Sequence, residues 1–72
     1  MDKNLVSLGE NIRNARHLLR ISQEELAFRS MLHRTYISSV ERGERNISFL
    51  NLLKISKALE ISPSNLIEGI KC

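Results

Sequence analysis

The sequence has 72 residues, a formal net charge of +3 and a single cysteine, Cys72, so it predicts one small domain (residues 1–72) without an internal disulfide. The two histidines, His17 and His33, have no cluster of cysteine or histidine around them, which argues against a zinc site, and no cofactor is expected. No apolar run approaches the ~20 residues that cross a bilayer and the N-terminus lacks a signal-peptide pattern, so we expect a cytoplasmic protein with no membrane partner.

Apolar residues at helical spacing define the first predicted helix. They recur at steps of three and four, as one stripe of an amphipathic helix does. Alternating patterns typical of strands are never sustained, so the sequence predicts an all-α fold. The stripe consists of Leu5, Leu8, Ile12, Ala15 and Leu19.

A capping box marks the start of the second predicted helix, Gln23–Ser30. We expect the Ser22 hydroxyl to accept a hydrogen bond from the Glu25 amide, and the Glu25 carboxylate to reach back to Ser22. Ile21 and Leu26 occupy the two positions of a hydrophobic staple. The helix start is therefore specified by four residues at fixed offsets.

The third predicted helix, His33–Arg42, follows a break at Met31–Leu32. Gly43 is the residue expected to end it, because glycine adopts the left-handed conformation that terminates helices. A two-residue break is too short for two helices to lie side by side, so the second and third helices must cross steeply.

Serine caps predict two further helices. Ser48 precedes a helix from Phe49 to about Leu59, whose apolar residues cover most of its circumference, so we expect it at the centre of the core. Ser62 is the cap and Pro63 the first helical position of a short helix, which continues from residue 64 to about residue 68. The prediction is thus a compact arrangement of five helices with short connections.

The steep crossing predicts which side of the third helix faces outward. Ala27 is small enough to lie where the two helices touch, and Ile37 and Val40 are the inward residues of the third helix. The opposite face has polar and arginine side chains of a size that suits the DNA major groove, which is about 12 Å wide. This face consists of Arg34, Thr35, Ser38, Ser39 and Arg42.

Residues 22–43, SQEELAFRSMLHRTYISSVERG, resemble the helix-turn-helix of the lambda-repressor-like family, and residues 33–48, HRTYISSVERGERNIS, are similar to the controller proteins of bacterial restriction–modification systems. The resemblance implies a transcriptional regulator that binds a palindromic operator in double-stranded DNA as a homodimer. RNA polymerase is a further candidate partner. This sequence departs from the family pattern at Met31, where Gly or Asn is usual, and at His33, where Asp or Thr is usual.

The resemblance also implies which residues contact DNA. Gln23 would bind a phosphate at the start of the second helix. Arg34 and Thr35 would reach base edges, and Arg34 would contact guanine N7 and O6. Tyr36 would use its hydroxyl on the DNA backbone, and shorter contacts would come from Ser38 and Ser39. The loop after the third helix would hold phosphates through Arg42, Arg45, Asn46 and Ser48.

Several of these positions have a structural alternative. Gln23 could simply face water, and the Tyr36 ring could pack into the core. Arg42 and Arg45 alternate with acidic residues and could form local salt bridges with them.

The family pattern places a paired arginine and glutamate at Arg16 and Glu41. Arg16 lies between Ile12 and Leu19, close to the inner stripe of the first helix, and Glu41 lies one turn beyond Ile37. We therefore expect an ion pair that is at least partly buried.

Self-association is expected for two reasons. A domain of this size buries only about 60% of its unfolded surface, and one recognition helix contacts too few base pairs to select a site in a genome. The last helix is too short to bury all its apolar residues, which predicts a dimer interface on the fourth and fifth helices with Leu66, Ile67 and Ile70. Alternatively, Leu66 and Ile67 cover the core of the monomer.

Other classes of function remain as alternatives. An enzyme has almost no support, because no glycine-rich phosphate loop and no Cys–His or Ser–His arrangement is found. A helical protein-interaction module is the main rival, and a phage-type or antitoxin-like repressor is the main rival among DNA-binding proteins. Binding through phosphates weakens steeply with salt, whereas binding through an apolar protein interface does not.

Overall fold

The structure, a computed structural model, describes residues 2–70, and Cys72 lies outside them. All regular structure in this range is helical, which confirms the predicted fold class. None of these helices is long and apolar enough to span a bilayer. The five helices are α1 (Lys3–Leu18), α2 (Gln23–Ser30), α3 (Arg34–Glu41), α4 (Phe49–Ala58) and α5 (Pro63–Leu66).

The start of α2 lies where the capping residues predict it. The Ser22 hydroxyl accepts a hydrogen bond from the Glu25 amide at 3.0 Å. The second half of the capping box was wrongly predicted: the Glu25 carboxylate accepts a hydrogen bond from Arg29 Nε, one turn along α2, at 2.8 Å. Arg29 is a charged donor, so this hydrogen bond is stronger than one from a neutral amide would be.

The last helix is shorter than predicted. It begins at Pro63, which takes the first helical position as predicted, but it ends at Leu66, about two residues early. The side-chain amide of Asn11, on α1, donates to the carbonyl oxygens of Leu66 at 2.9 Å and of Glu68 at 3.2 Å. Carbonyls at a helix end need such partners, so a side chain distant in the sequence caps this helix.

The core forms where α1, α2, α3, α4 and α5 meet. Leu66 is fully buried within it, so its assignment to the dimer interface was wrong. Ile70 is partly buried against the core, whereas Ile67 remains 45% exposed. The core residues are Leu8, Ile12, Leu26, Ala27, Ile37, Val40, Ile55, Ala58, Leu59 and Leu66.

Helix α4 is only partly internal, which corrects its predicted position at the centre of the core. Its C-terminal half is buried through Ile55 and Ala58. Phe49 and Leu50, in its first turn, are 69% and 67% exposed. Although α4 contacts both α2 and α5, its first turn is exposed, so its apolar circumference extends beyond the core.

Glycine 9 allows α1 and α3 to meet at backbone distance. A Cβ atom on Gly9 would lie 2.5 Å from the carbonyl oxygen of Glu41 and 2.6 Å from that of Val40. Any side chain would therefore push the C-terminal end of α3 away. This close approach fixes α3, the helix that carries the candidate site, against the longest helix of the fold.

Candidate nucleic-acid interface

The turn between α2 and α3 brings the two helices into contact. Met31 ends α2 in the left-handed conformation, with φ of 60°, at the predicted break. The following amide, of Leu32, donates back to the carbonyl of Ala27 at 2.9 Å. Ala27 is buried between the helices, together with Leu26 and Ile37.

The outward face of α3 is narrower than its periodicity predicts. Arg34 and Thr35 are exposed, and no hydrogen bond or ion pair from either side chain occurs within residues 2–70. Ser39 does not project outward, which corrects the prediction: it is 8% exposed and its hydroxyl donates to the Tyr36 carbonyl at 2.9 Å. Ser38 is half-buried at the edge of the face. The side chains available for base contacts are therefore concentrated at the N-terminal end of α3.

Tyr36 is held between the loop after α3 and the start of α4. Its hydroxyl accepts a hydrogen bond from the Asn51 side-chain amide at 3.1 Å. The Arg45 guanidinium lies over the ring, 5.7 Å from its centre, within the range of a cation–π contact. The side chain is half-buried and packs against the core, as the structural alternative expected, and the DNA contact of its hydroxyl stays a prediction.

Arg42 makes local contacts, as the salt-bridge alternative anticipated. Its guanidinium donates to both carboxylate oxygens of Glu44 at 3.0 Å, and also to the hydroxyl of Ser38. The hydrogen bond between Arg42 and Glu44 raises the pKa of Arg42 and lowers the pKa of Glu44. Because the pair is at the surface, its energy is small and an incoming phosphate can compete for the arginine.

The ion pair implied for Arg16 and Glu41 is present and buried. Arg16 Nε lies 2.7 Å from Glu41 Oε2, and Arg16 Nη2 lies 3.0 Å from Oε1. Arg16 also donates to the carbonyl of Ile21 at 3.0 Å, and Arg13 Nε lies 3.6 Å from Oε1. Burial by itself raises the pKa of Glu41, but the hydrogen bonds from Arg16 and Gln23, with the charges of Arg16 and Arg13, lower it overall.

Gln23 is joined to this ion pair. Its side-chain nitrogen donates to Glu41 Oε1 at 3.0 Å, and the residue is half-buried rather than fully in water. An open depression of about 470 Å³ lies beside it, between the N-terminus of α2 and Arg34. The α2 amides at this end and the positive end of the helix dipole favour an anion there.

The loop after α3 presents the remaining predicted contacts. Arg45, Asn46 and Ser48 are all exposed. The Ser48 oxygen also accepts the backbone N–H of Asn51 at 3.1 Å, so the same residue caps α4. Asn51 itself was missed, because its position three residues after a cap indicates only a place in the first turn of a helix.

The crossed α2–α3 pair with this exposed face defines a helix-turn-helix protein, and the comparisons agree. A family model described as Helix-turn-helix matches residues 12–66. The control protein C.BamHI of Bacillus amyloliquefaciens is 51% identical over 61 residues, which make up 83% of this chain and 75% of the relative. The chain belongs to the lambda-repressor-like helix-turn-helix family and is similar to its restriction–modification controller proteins.

Two solved structures share the fold over almost the whole chain. The controller protein C.AhdI from Aeromonas hydrophila has a TM-score of 0.89 and 46% identity, and the match covers 90% of this chain and 98% of that one. The C.Esp1396I tetramer in complex with its natural 35 base-pair operator has a TM-score of 0.88 and 36% identity, covering 97% of this chain and 92% of that one.

Proposed function

We propose that the chain is a sequence-specific transcriptional regulator, the controller protein of a restriction–modification system, without a catalytic role. The observation that carries the proposal is the exposed face of α3, where Arg34 and Thr35 have no partner within residues 2–70. The named relatives support it, since they are control proteins and one of them is solved on its operator. The protein would act in the cytoplasm, where that DNA lies, and RNA polymerase is the candidate partner for regulation.

In this proposal the N-terminal end of α3 enters the major groove. Arg34 contacts guanine N7 and O6, the commonest specific arginine contact, and Thr35 reaches a neighbouring base edge. The surrounding residues hold the DNA backbone, which positions the recognition helix without specifying sequence. These are Gln23, Tyr36, Ser38, Arg42, Arg45, Asn46 and Ser48.

A homodimer extends the proposal to a palindromic operator. Half-sites in successive major grooves lie about 34–36 Å apart, but the protomer measures only 30 × 22 × 21 Å. One protomer therefore cannot read both half-sites. The interface would use Ile67, as the sequence indicates, together with Phe49 and Leu50, whose exposure the sequence did not predict.

Binding to the DNA upstream of the protein's own gene tests the proposal. We expect specific binding at least a thousandfold tighter than binding to a shuffled duplex, with affinity falling steeply between about 50 and 200 mM salt. Equal affinity for both duplexes would contradict sequence-specific recognition. Binding to neither duplex would instead favour a protein-interaction module. A reporter gene fused to the same DNA would then show whether the protein activates or represses.

A further inference from the structure

Asn51 links α4 to the side chain of Tyr36 on α3. Its Nδ2 atom donates to the Tyr36 hydroxyl at 3.1 Å, and its backbone N–H donates to the Ser48 hydroxyl oxygen at 3.1 Å. The helix cap thus fixes the backbone of Asn51, and this fixed backbone sets the position of its amide. Both Asn51 and Tyr36 are half-buried, so the hydrogen bond lies at the boundary between core and surface.

This arrangement defines what the phenol can do. A tyrosine hydroxyl has one proton to donate and can accept hydrogen bonds as well. Since Asn51 supplies the donor in this pair, Tyr36 keeps its own proton for an acceptor outside the protein. Arg45 over the ring adds positive charge at the same place, which favours an anionic acceptor.

We propose that Asn51 is a positioning residue for DNA binding: it orients the Tyr36 hydroxyl so that the phenolic proton is donated to a phosphate oxygen of the operator. The inference rests on the proposed function, because it requires DNA beside α3. Phosphate oxygens are acceptors only, so the direction of the Asn51–Tyr36 hydrogen bond matters and not merely its presence.

A double-mutant cycle on operator affinity tests the coupling. Asn51→Leu and Tyr36→Phe should each weaken binding by about threefold to tenfold, the range for one hydrogen bond. In the Tyr36→Phe background, Asn51→Leu should have no further effect. The salt dependence should stay unchanged in all variants, since no charge is removed. Asn14→Leu, at an exposed position of α1, is the matched control and should bind as the wild type does.

Asn51→Asp tests the direction of the hydrogen bond. Aspartate has nearly the same shape and is favourable in the first turn of a helix, so the variant should fold. Its carboxylate would accept a hydrogen bond from the Tyr36 hydroxyl, which would then no longer donate to the phosphate. The added negative charge is measured separately in the Tyr36→Phe background, and the loss should be larger by at least threefold when Tyr36 is present.

Three results distinguish a failure of the proposed role of Asn51 from a failure of the proposed DNA-binding function. Additive losses in the cycle, or equal effects of Asn51→Asp in both backgrounds, would overturn the role of Asn51 while the wild-type protein still binds its operator. A wild-type protein without specific binding would overturn the proposed function and this inference with it.

Discussion

Glu41 joins three helices through one carboxylate. Arg16 reaches it from α1 and Gln23 from α2, while Glu41 itself belongs to α3. Its side chain is fully buried, so the charge depends on these partners and on Arg13, whose Nε atom lies 3.6 Å from Oε1. Glu41 therefore orients Gln23 and also holds α3, the helix that carries Arg34, against α1 and α2.

Removal of this carboxylate should be costly. Glu41→Leu leaves the buried Arg16 charge without a carboxylate, with only the Ile21 carbonyl as acceptor, and we expect a loss of about 3–5 kcal/mol in the free energy of unfolding. Urea unfolding measures it. Glu44→Gln is the control, because it breaks an exposed pair with Arg42 and should change stability far less. Similar losses for the two variants would contradict the buried role of Glu41.

The same pair predicts an effect of pH. Because the folded-state pKa of Glu41 is below its ordinary value of 4.5, the pair stabilises the fold fully above that value and loses this contribution as pH falls through the folded-state pKa. The stability difference between wild type and Glu41→Leu should shrink below about pH 4.5. Unfolding curves at pH 7, 5 and 3.5 would show it, and a constant difference would count against the assignment.

Arg34 and Arg45 should differ in the kind of binding they support. Arg34→Ala should cost about 1–3 kcal/mol at the operator and relax specificity at one base pair. Arg45→Ala should weaken binding to all sequences alike, since in the proposed complex Arg45 contacts the DNA backbone and not a base; in the structure its guanidinium lies over the Tyr36 ring. Affinities for operator duplexes with single base-pair changes distinguish the two. Equal losses on operator and random DNA for Arg34→Ala would remove it from base recognition.

At the scale of elements, local signals predicted what is locally determined. Helix α2 has the predicted bounds because the Ser22 cap and the break at Met31 act through neighbouring backbone groups. The width of the outer face of α3, in contrast, could not be predicted from neighbouring residues. Helix α3 contacts both α1 and α2, and Ser39 is buried although the helical period of α3 alone placed it on the outer face.

Helix α5 shows the same difference between features that are set locally and features that are set by distant residues. The Ser62–Pro63 signal predicted a helix, but its end depends on Asn11, 55 residues away from Leu66 in the sequence. Nor could periodicity distinguish the buried Leu66 from the exposed Ile67 on so short a helix. Long-range contacts determine both features, and no local pattern encodes them.

The turn of the helix-turn-helix has a replaceable residue. Met31 is exposed and adopts a left-handed φ of 60°, which costs a non-glycine residue free energy. Met31→Gly should therefore raise the free energy of unfolding by up to about 1 kcal/mol, without loss of packing. Thermal unfolding checks the direction. Met31→Val should lower the stability, because a branched side chain is least compatible with this conformation.

At the scale of the whole molecule, the proposed dimer should depend on α4 and α5. Ile67→Asp and Leu50→Asp should each convert the dimer to monomer at micromolar concentration and reduce operator binding, with helix content largely intact. Sedimentation and circular dichroism measure the two properties. Leu18→Asp is the control, because Leu18 is an apolar residue that is even more exposed, at 86%, but lies on α1. A persistent monomer with full operator affinity would rule out the dimer.

The freedom of Arg34 and Thr35 bears on how such a regulator changes its target over generations. Neither side chain bonds to the rest of the protein within residues 2–70, and surface substitutions of this kind usually alter stability by no more than about 0.5 kcal/mol. A duplicated gene could therefore drift at these two codons and acquire a new operator while its product still folds. Divergence of target sites would then require no compensating change in the core.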